Sequence, residues 1–182
     1  MGLCFLPQSR EKHFGVHPCV LPNIWMLLKE RGQLIEIDHS ILHRIHNKDG
    51  SWPSYFYVSP FYSTRLYTEL LSTFDSECNK HLEETTDFLL RSEAGSSPVQ
   101  TAEIAIALHH LRPIVKSRSR EIDSRAKQLL KTLKSQQLGD GSWVGENIWT
   151  FLHRTHSQPA VGFDSFRVHS TSLCVQALRY WN

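Results

Sequence analysis

Apolar residues recur with a helical period through most of the chain. Ile37, Ile41, Leu42 and Ile45 fall on one helix face, and Ala126, Leu129, Leu130 and Leu133 form an equivalent stripe. Each stripe runs into the string Asp-Gly-Ser-Trp, at Asp49–Trp52 and again at Asp140–Trp143, 91 residues later. After each string come a loop and a second apolar helix, marked by Leu66, Leu70 and Leu71 in one copy and by Leu173, Val175, Ala177 and Leu178 in the other. Between the copies lies a degenerate unit. Leu82, Thr85, Phe88, Leu89 and Leu90 give its first helix, Ala94 to Pro98 its turn, and Thr101 to Leu111 its second. Val20 to Lys29 reads as the second helix of a partial opening unit. The pattern predicts an all-α repeat of helix pairs within one domain, residues 1–182, with units near 15–31 (partial), 32–76, 77–117 and 118–182.

The second helices overlay without gaps. Thr64-Arg65-Leu66-Tyr67, Ala102-Glu103-Ile104-Ala105 and Thr171-Ser172-Leu173-Cys174 fall in register. They are more apolar than the first helices, as an inner layer would be, whereas the first helices carry the charge of a solvated face. The motif between them has a structural logic. Asp-Gly turns the chain because Gly accepts a positive φ, and Trp lays a large ring against neighbouring helices. Gln136 and Gln137 stand where an amide side chain can bond the backbone ends of an adjacent repeat. Trp52 and Trp143 are therefore expected to be buried at repeat junctions and to do no chemistry.

Composition narrows the class. The 182 residues are 40% hydrophobic and 21% charged, and the formal net charge is only +2. No basic block or basic-aromatic stripe argues for nucleic acid. The basic stretch from Arg112 to Arg125 lies between two helical patterns and reads as a solvated connector. Cys4, Cys19, Cys78 and Cys174 form no close pairs, which predicts free thiols in a reducing cytoplasm. With Ser9, Arg10, Glu11 and Lys12 so near the start, no signal peptide is expected. No run reaches the roughly 20 apolar residues of a spanning helix. A soluble, cytoplasmic protein is expected.

Leu133-x-x-Gln136 followed by Asp140-Gly141-Ser142-Trp143 resembles the QW repeat of squalene-hopene and oxidosqualene cyclases, also called the prenyltransferase/squalene-oxidase repeat. Asn47 to Pro53 is similar to a second such unit, with Asn47 where Gln is usual. Pro53 to Leu71, with its Ser59-Pro60-Phe61-Tyr62 turn, resembles the loop and inner helix of bacterial members. His17 to Val20 with Asn23 resembles another inner-helix start. The resemblance spans about His17 to Trp181. It implies the α/α-toroid fold of terpenoid cyclases and protein prenyltransferases. Such a ring needs about six helix pairs, so this chain would form a partial ring, about half.

The family's chemistry is harder to locate. Class II terpene cyclases protonate an alkene or epoxide with a D-x-D-D acid, and class I enzymes hold Mg²⁺ on D-D-x-x-D; neither string occurs in this chain. Glu83-Glu84-x-x-Asp87 has similar charges but sits on a first helix and reads as a solvated face. Asp164, His169 and Cys174 cluster like the zinc ligands of protein prenyltransferases, yet without that family's Asp-x-Cys pair. His39, His43 and His46 share one helix face at a metal-compatible spacing; on an outer helix they read as solvated. His109 and His110 close an inner helix, where His meets the C-terminal dipole favourably. No metal and no cofactor are expected.

Carboxylates at inner-helix starts remain as candidate acids. Asp164 ranks first, because Phe163 and Phe166 flank it and would desolvate it; the competing reading is a helix cap. Glu103 is the second candidate, with His169 as partner. Tyr55, Tyr57, Phe61, Tyr62, Trp149, Phe163 and Phe166 crowd two matching regions and are candidates to line an isoprenoid pocket, where aromatic faces stabilise carbocations. The resemblance thus implies a class II-like terpene cyclase or isoprenoid-modifying enzyme that starts carbocation chemistry with an acid in an aromatic-lined pocket. The alternative is a non-catalytic isoprenoid-binding or assembly module that completes a larger toroid. The expected partners are an isoprenoid small molecule and a second copy or partner subunit, with Trp25 and Met26 as anchors. No nucleic acid is expected, and peripheral contact with a membrane stays open.

Overall fold

The computed structural model describes residues 17–33, 36–74, 79–93, 95–151 and 160–182. Cys4, Cys78 and the charged run from Ser9 to Lys12 lie outside them. Seven α-helices carry the described chain: α1 (Leu21–Glu30), α2 (His39–Ile45), α3 (Pro60–Phe74), α4 (Asn79–Arg91), α5 (Pro98–Leu111), α6 (Ser119–Ser135) and α7 (Val168–Tyr180). A single 3-10 turn, Lys116–Arg118, leads into α6. Strands β1 (Asn147–Phe151) and β2 (Ala160–Phe163) pair antiparallel, with Trp149 opposite Gly162 and a bulge between Asn147 and Trp149. A further bridge joins Tyr57 to Trp149, so the loop before α3 is stitched to β1. Among the described residues no helix is long and apolar enough to cross a membrane.

Two layers follow from the sequence pattern. The second helices pack side by side in the order α1, α3, α5, α7, while α4 and α6 lie against α5. Helix α5 sits at the centre. Its residues Pro98, Val99 and Thr101 to Leu108 are all buried, because small and apolar side chains occupy every side of it. Ser97 caps its start by accepting from the Gln100 amide, and Pro98 supplies the first-turn φ. Helix α6 is amphipathic by contrast: Ile122, Ala126, Leu129 and Leu133 are buried along one face, and the rest is polar.

The two Asp-Gly-Ser-Trp strings fold alike. In the first, Asp49 Oδ1 accepts from the Ser51 amide and hydroxyl at 2.9 and 2.7 Å, and Gly50 has a φ of 92°. In the second, Asp140 Oδ1 accepts the same pair from Ser142 at 3.0 and 2.6 Å, and Gly141 has a φ of 83°. Each Trp amide then donates to a threonine hydroxyl of the following second helix: Trp52 to Thr64 at 3.0 Å, Trp143 to Thr171 at 3.3 Å. Those are the two threonines that the gapless overlay aligns. Both indoles are fully buried. Trp52 Nε1 donates to Thr85 of α4, and Trp143 Nε1 donates to the Leu133 carbonyl of α6. A Cβ at Gly50 would collide with the Glu84 carbonyl, so the turn also fixes how closely α4 approaches.

Three details depart from expectation. Gln136 does reach a neighbouring repeat, donating to the Ser96 carbonyl, but Gln137 stays within its own turn and donates to the Gly141 carbonyl. Trp25 faces the core and Met26 packs against it, so neither is a surface anchor; Val20, Ile24 and Leu27 are the exposed apolar residues of that segment. The basic stretch from Arg112 to Arg125 is more than a connector, since it enters α6 at Ser119; it stays solvated, with Arg112 paired to Asp123 and Arg118 to Glu121 and Asp87.

Candidate functional site

Helix α5 carries one charged residue through its buried centre, Glu103, which is 1% exposed. Burial pushes its carboxyl up to about 8; the nearby Arg65 charge and a hydrogen bond from Ser59 pull it back, and Glu146 adds to the rise. The acid is thus protonated at neutral pH. Ser59 Oγ donates to Glu103 Oε2 at 3.3 Å and accepts from the Phe61 amide at 3.1 Å, so the start of α3 positions the hydroxyl on the acid.

Arg65, one turn into α3, connects the surroundings. Its charge acts on Glu103, His110 and His169, and its guanidinium lies 5.7 Å from the Tyr62 ring centre and 3.5 Å from Glu69 Oε2. Its Nε is buried without a hydrogen-bond partner, as are Nε2 of His110 and of His169. Burial, then His109 and Arg65, depress His110 to about 4. Burial depresses His169 as well, against the pull of Asp164. Both imidazoles are neutral at pH 7. Arg65 of α3 thus acts electrostatically on groups of two other second helices, Glu103 and His110 on α5 and His169 on α7.

The remaining candidates take different places. Asp164 is buried, and its Oδ2 accepts from the Ser170 amide and hydroxyl at 2.8 and 2.9 Å, in the first turn of α7, whose N-cap is Arg167. Phe163 and Phe166 are 56% and 88% exposed, so their rings do not enclose it. Tyr57 and Tyr62 stack with ring centres 3.3 Å apart, and Trp149 lies 5.7 Å from His169. Burial and contact with Tyr57 raise the Tyr62 phenol. Tyr55 packs on His17 and Phe56, while Phe61 is a core residue facing Phe88. Cys174 donates to the Pro98 carbonyl, and burial pushes its thiol up to about 12.

Sequence reasoning missed Ser59, Arg65 and His110. A signal for Arg65 was present, since the overlay of second helices aligns it with Glu103 on the neighbouring helix. Ser59-Pro60 is a helix-start signature, but nothing local says that the serine also meets a carboxyl 44 residues away.

No protein-family model matches this chain, and no curated protein matches it in sequence. Solved structures do match it in shape. A protein from Actinoplanes superposes with a TM-score of 0.71 at 23% identity, over 91% of this chain and 55% of that one. The type II terpene cyclase MstE from Scytonema, in its apo form, gives 0.70 at 19% identity, over 90% and 55%. An MstE variant in complex with geranylgeranyl dihydroxybenzoate, its substrate, gives 0.73 at 18% identity, over 97% and 58%. The chain is therefore structurally related to type II terpene cyclases, as a mostly helical fold spanning about half the length of those chains. At these identities the likeness is one of fold.

Proposed function

We propose that the chain forms half of an α/α-toroid and builds an isoprenoid-binding wall in which Glu103 is the proton donor of a class II-like cyclase or isomerase. The observation that supports this reading is the buried carboxyl of Glu103 on the central second helix, bonded by Ser59 and near the Arg65 charge, where burial pushes it up to about 8. An alkene is a very weak base, so two conditions matter. The proton must be in place at neutral pH, and the carboxylate left behind must be stabilised as the proton leaves. Burial supplies the first, and the Ser59 hydroxyl with the Arg65 charge supplies the second. The proton adds to one alkene carbon and a carbocation forms at the other. Tyr57, Tyr62 and Trp149 offer π faces to that cation. Neutral His169 takes a proton from a neighbouring carbon at the end, so no proton is consumed overall. In this reading Asp164 holds the start of α7 and does not meet substrate.

A second reading has its own support. The chain matches only about half of each cyclase, and Val20, Ile24 and Leu27 leave an apolar stripe exposed along α1. A non-catalytic module that completes a ring with a second copy or a partner subunit fits that surface. One experiment separates the two. The chain is incubated with polyprenyl substrates, geranylgeranyl compounds among them, and cyclised or isomerised products are sought for wild type and Glu103→Gln. Product from wild type that falls by orders of magnitude in Glu103→Gln, with the helical spectrum intact, supports the acid. Turnover unchanged by the substitution refutes it. Isoprenoid binding without any product favours the module.

A further inference from the structure

Away from Glu103, three metal-ligating side chains converge between α2 and α4. His46 Nδ1 lies 3.2 Å from His81 Nδ1 and 3.4 Å from Glu84 Oε2, and His81 Nδ1 lies 3.9 Å from the same oxygen. A tetrahedral zinc ion, with metal–ligand bonds of roughly 2.0–2.2 Å, sets its ligands about 3.4 Å apart. The triangle therefore already has the edges of such a site.

The hydrogen-bond roles point the same way. His46 Nε2 faces the Gly50 carbonyl at 3.3 Å. A carbonyl can only accept, so the tautomer of neutral His46 that bonds it carries its proton on Nε2 and aims the Nδ1 lone pair at His81 and Glu84. Metal-bound histidines characteristically donate their other ring N–H to a backbone carbonyl in this way. That leaves a lone pair, a carboxylate and a third ring nitrogen around one point, with at most the single His81 Nδ1 proton to share if His81 is neutral. A cation satisfies all three. The side chains of His46 and His81 are 4% and 15% exposed, and that of Glu84 is 45% exposed. The site is thus walled on the histidine side and open at the carboxylate, where water can complete the coordination. The other carboxylate oxygen, Oε1, is 3.9 Å from the exposed Lys80 ammonium, which leaves Oε2 for the ion. His43, whose ring is 5.9 Å from that of His81, stands within reach as a fourth ligand.

We propose that His46, His81 and Glu84 form a structural site for a zinc-class divalent cation that clips α2 to α4. Two imidazoles and one carboxylate suit zinc and its borderline neighbours better than calcium or magnesium, which take oxygen ligands. Helix α2 has only seven residues, and so short a helix relies on tertiary ties. The clip holds its end where Gly50 and Trp52 pass beneath α4. The site is separate from the acid of Glu103 and stands or falls without it.

The test uses the full chain stripped with chelator and then titrated with Co²⁺ and Zn²⁺. We expect one Co²⁺ per chain, with the visible absorption of tetrahedral coordination displaced by Zn²⁺. Tryptophan emission should change too, since the Trp52 ring is 4.6 Å from that of His46. Glu84→Gln, a mild change at a half-exposed position, and His81→Ala should each weaken binding by more than the roughly 10–100-fold cost of losing an outer-shell partner. His109→Ala, at the end of α5, should leave it unchanged. Absence of the Co²⁺ band overturns the proposal. So does a band that survives both Glu84→Gln and His81→Ala, or one that disappears with His109→Ala alone.

Discussion

Replacing Glu103 by Gln tests the most consequential feature of the structure, a carboxyl held protonated inside α5. The substitution keeps the side chain's size and leaves an oxygen that accepts from Ser59, but removes the titration. In the folded chain the acid titrates at about 8 against an ordinary 4.5. The folded state therefore binds this proton more tightly than the unfolded state. Below about pH 4.5 both states are protonated and nothing is lost. As pH rises the unfolded chain releases its proton and the folded chain does not, so stability falls until the pH passes the folded value. One pKa unit is about 1.4 kcal/mol, so wild type should lose roughly 3–4 kcal/mol between about pH 5 and pH 8 on this account alone. Burial depresses His46, His81, His109, His110 and His169. Their contribution has the opposite sign, with stability lost as pH falls through the ordinary histidine value. They are common to both chains and largely cancel in the difference. The assay is urea unfolding of wild type and Glu103→Gln at a series of pH values. The variant should gain on wild type steadily from acid to neutral pH. A difference that stays flat, or one that favours wild type as pH rises, would mean that Glu103 is ionised against Arg65, and the acid reading would fall with it.

Two other outcomes follow from the same geometry. Trp143→Ala deletes a fully buried indole and its bond to the Leu133 carbonyl, so chemical denaturation should show a loss of roughly 3–5 kcal/mol. Asp164→Ala removes the buried bonds from the Ser170 amide and hydroxyl and should cost about 1–3 kcal/mol in the same measurement. In that variant the pH profile of any turnover should be unmoved, whereas a displaced profile would return Asp164 to the chemistry.

The helix pairs were legible because two independent signals agree in this chain. Stripes such as Ala126, Leu129, Leu130 and Leu133 set the period, and the paired Asp-Gly-Ser-Trp turns set the register. Each turn is a local device, complete within a few residues, and local devices can be read from sequence. The β1–β2 hairpin was not legible. Its partner in the loop before α3 is far away in sequence, and Thr150 Oγ1 reaches the Tyr55 carbonyl across 95 positions. Trp25 was misplaced for a related reason. A large aromatic on a helix reads equally as an anchor for a partner or as core, and only the packing of α1 on α3 decides that it is core.

The site shows the same division more sharply. Asp164 looked like the acid because its neighbours in sequence are aromatic, yet neighbours in sequence point in different directions once a loop turns. Phe163 and Phe166 go outward while the carboxyl group turns to the Ser170 amide and hydroxyl. Glu103 is enclosed instead by residues from other elements: Ser59 and Arg65 on α3 or its approach, and Glu146 before β1. The histidine cluster follows the same rule. His39, His43 and His46 share a helix face in sequence, and of the three it is His46 that lies 3.2 Å from His81 Nδ1 and 3.4 Å from Glu84 Oε2, 35 and 38 positions later. What distinguishes the buried carboxylate of Glu103 and the imidazole of His46 in this chain is the company they keep across repeats. That company is set by the register of the second helices, and the alignment of Arg65 with Glu103 was the one place where sequence already contained it.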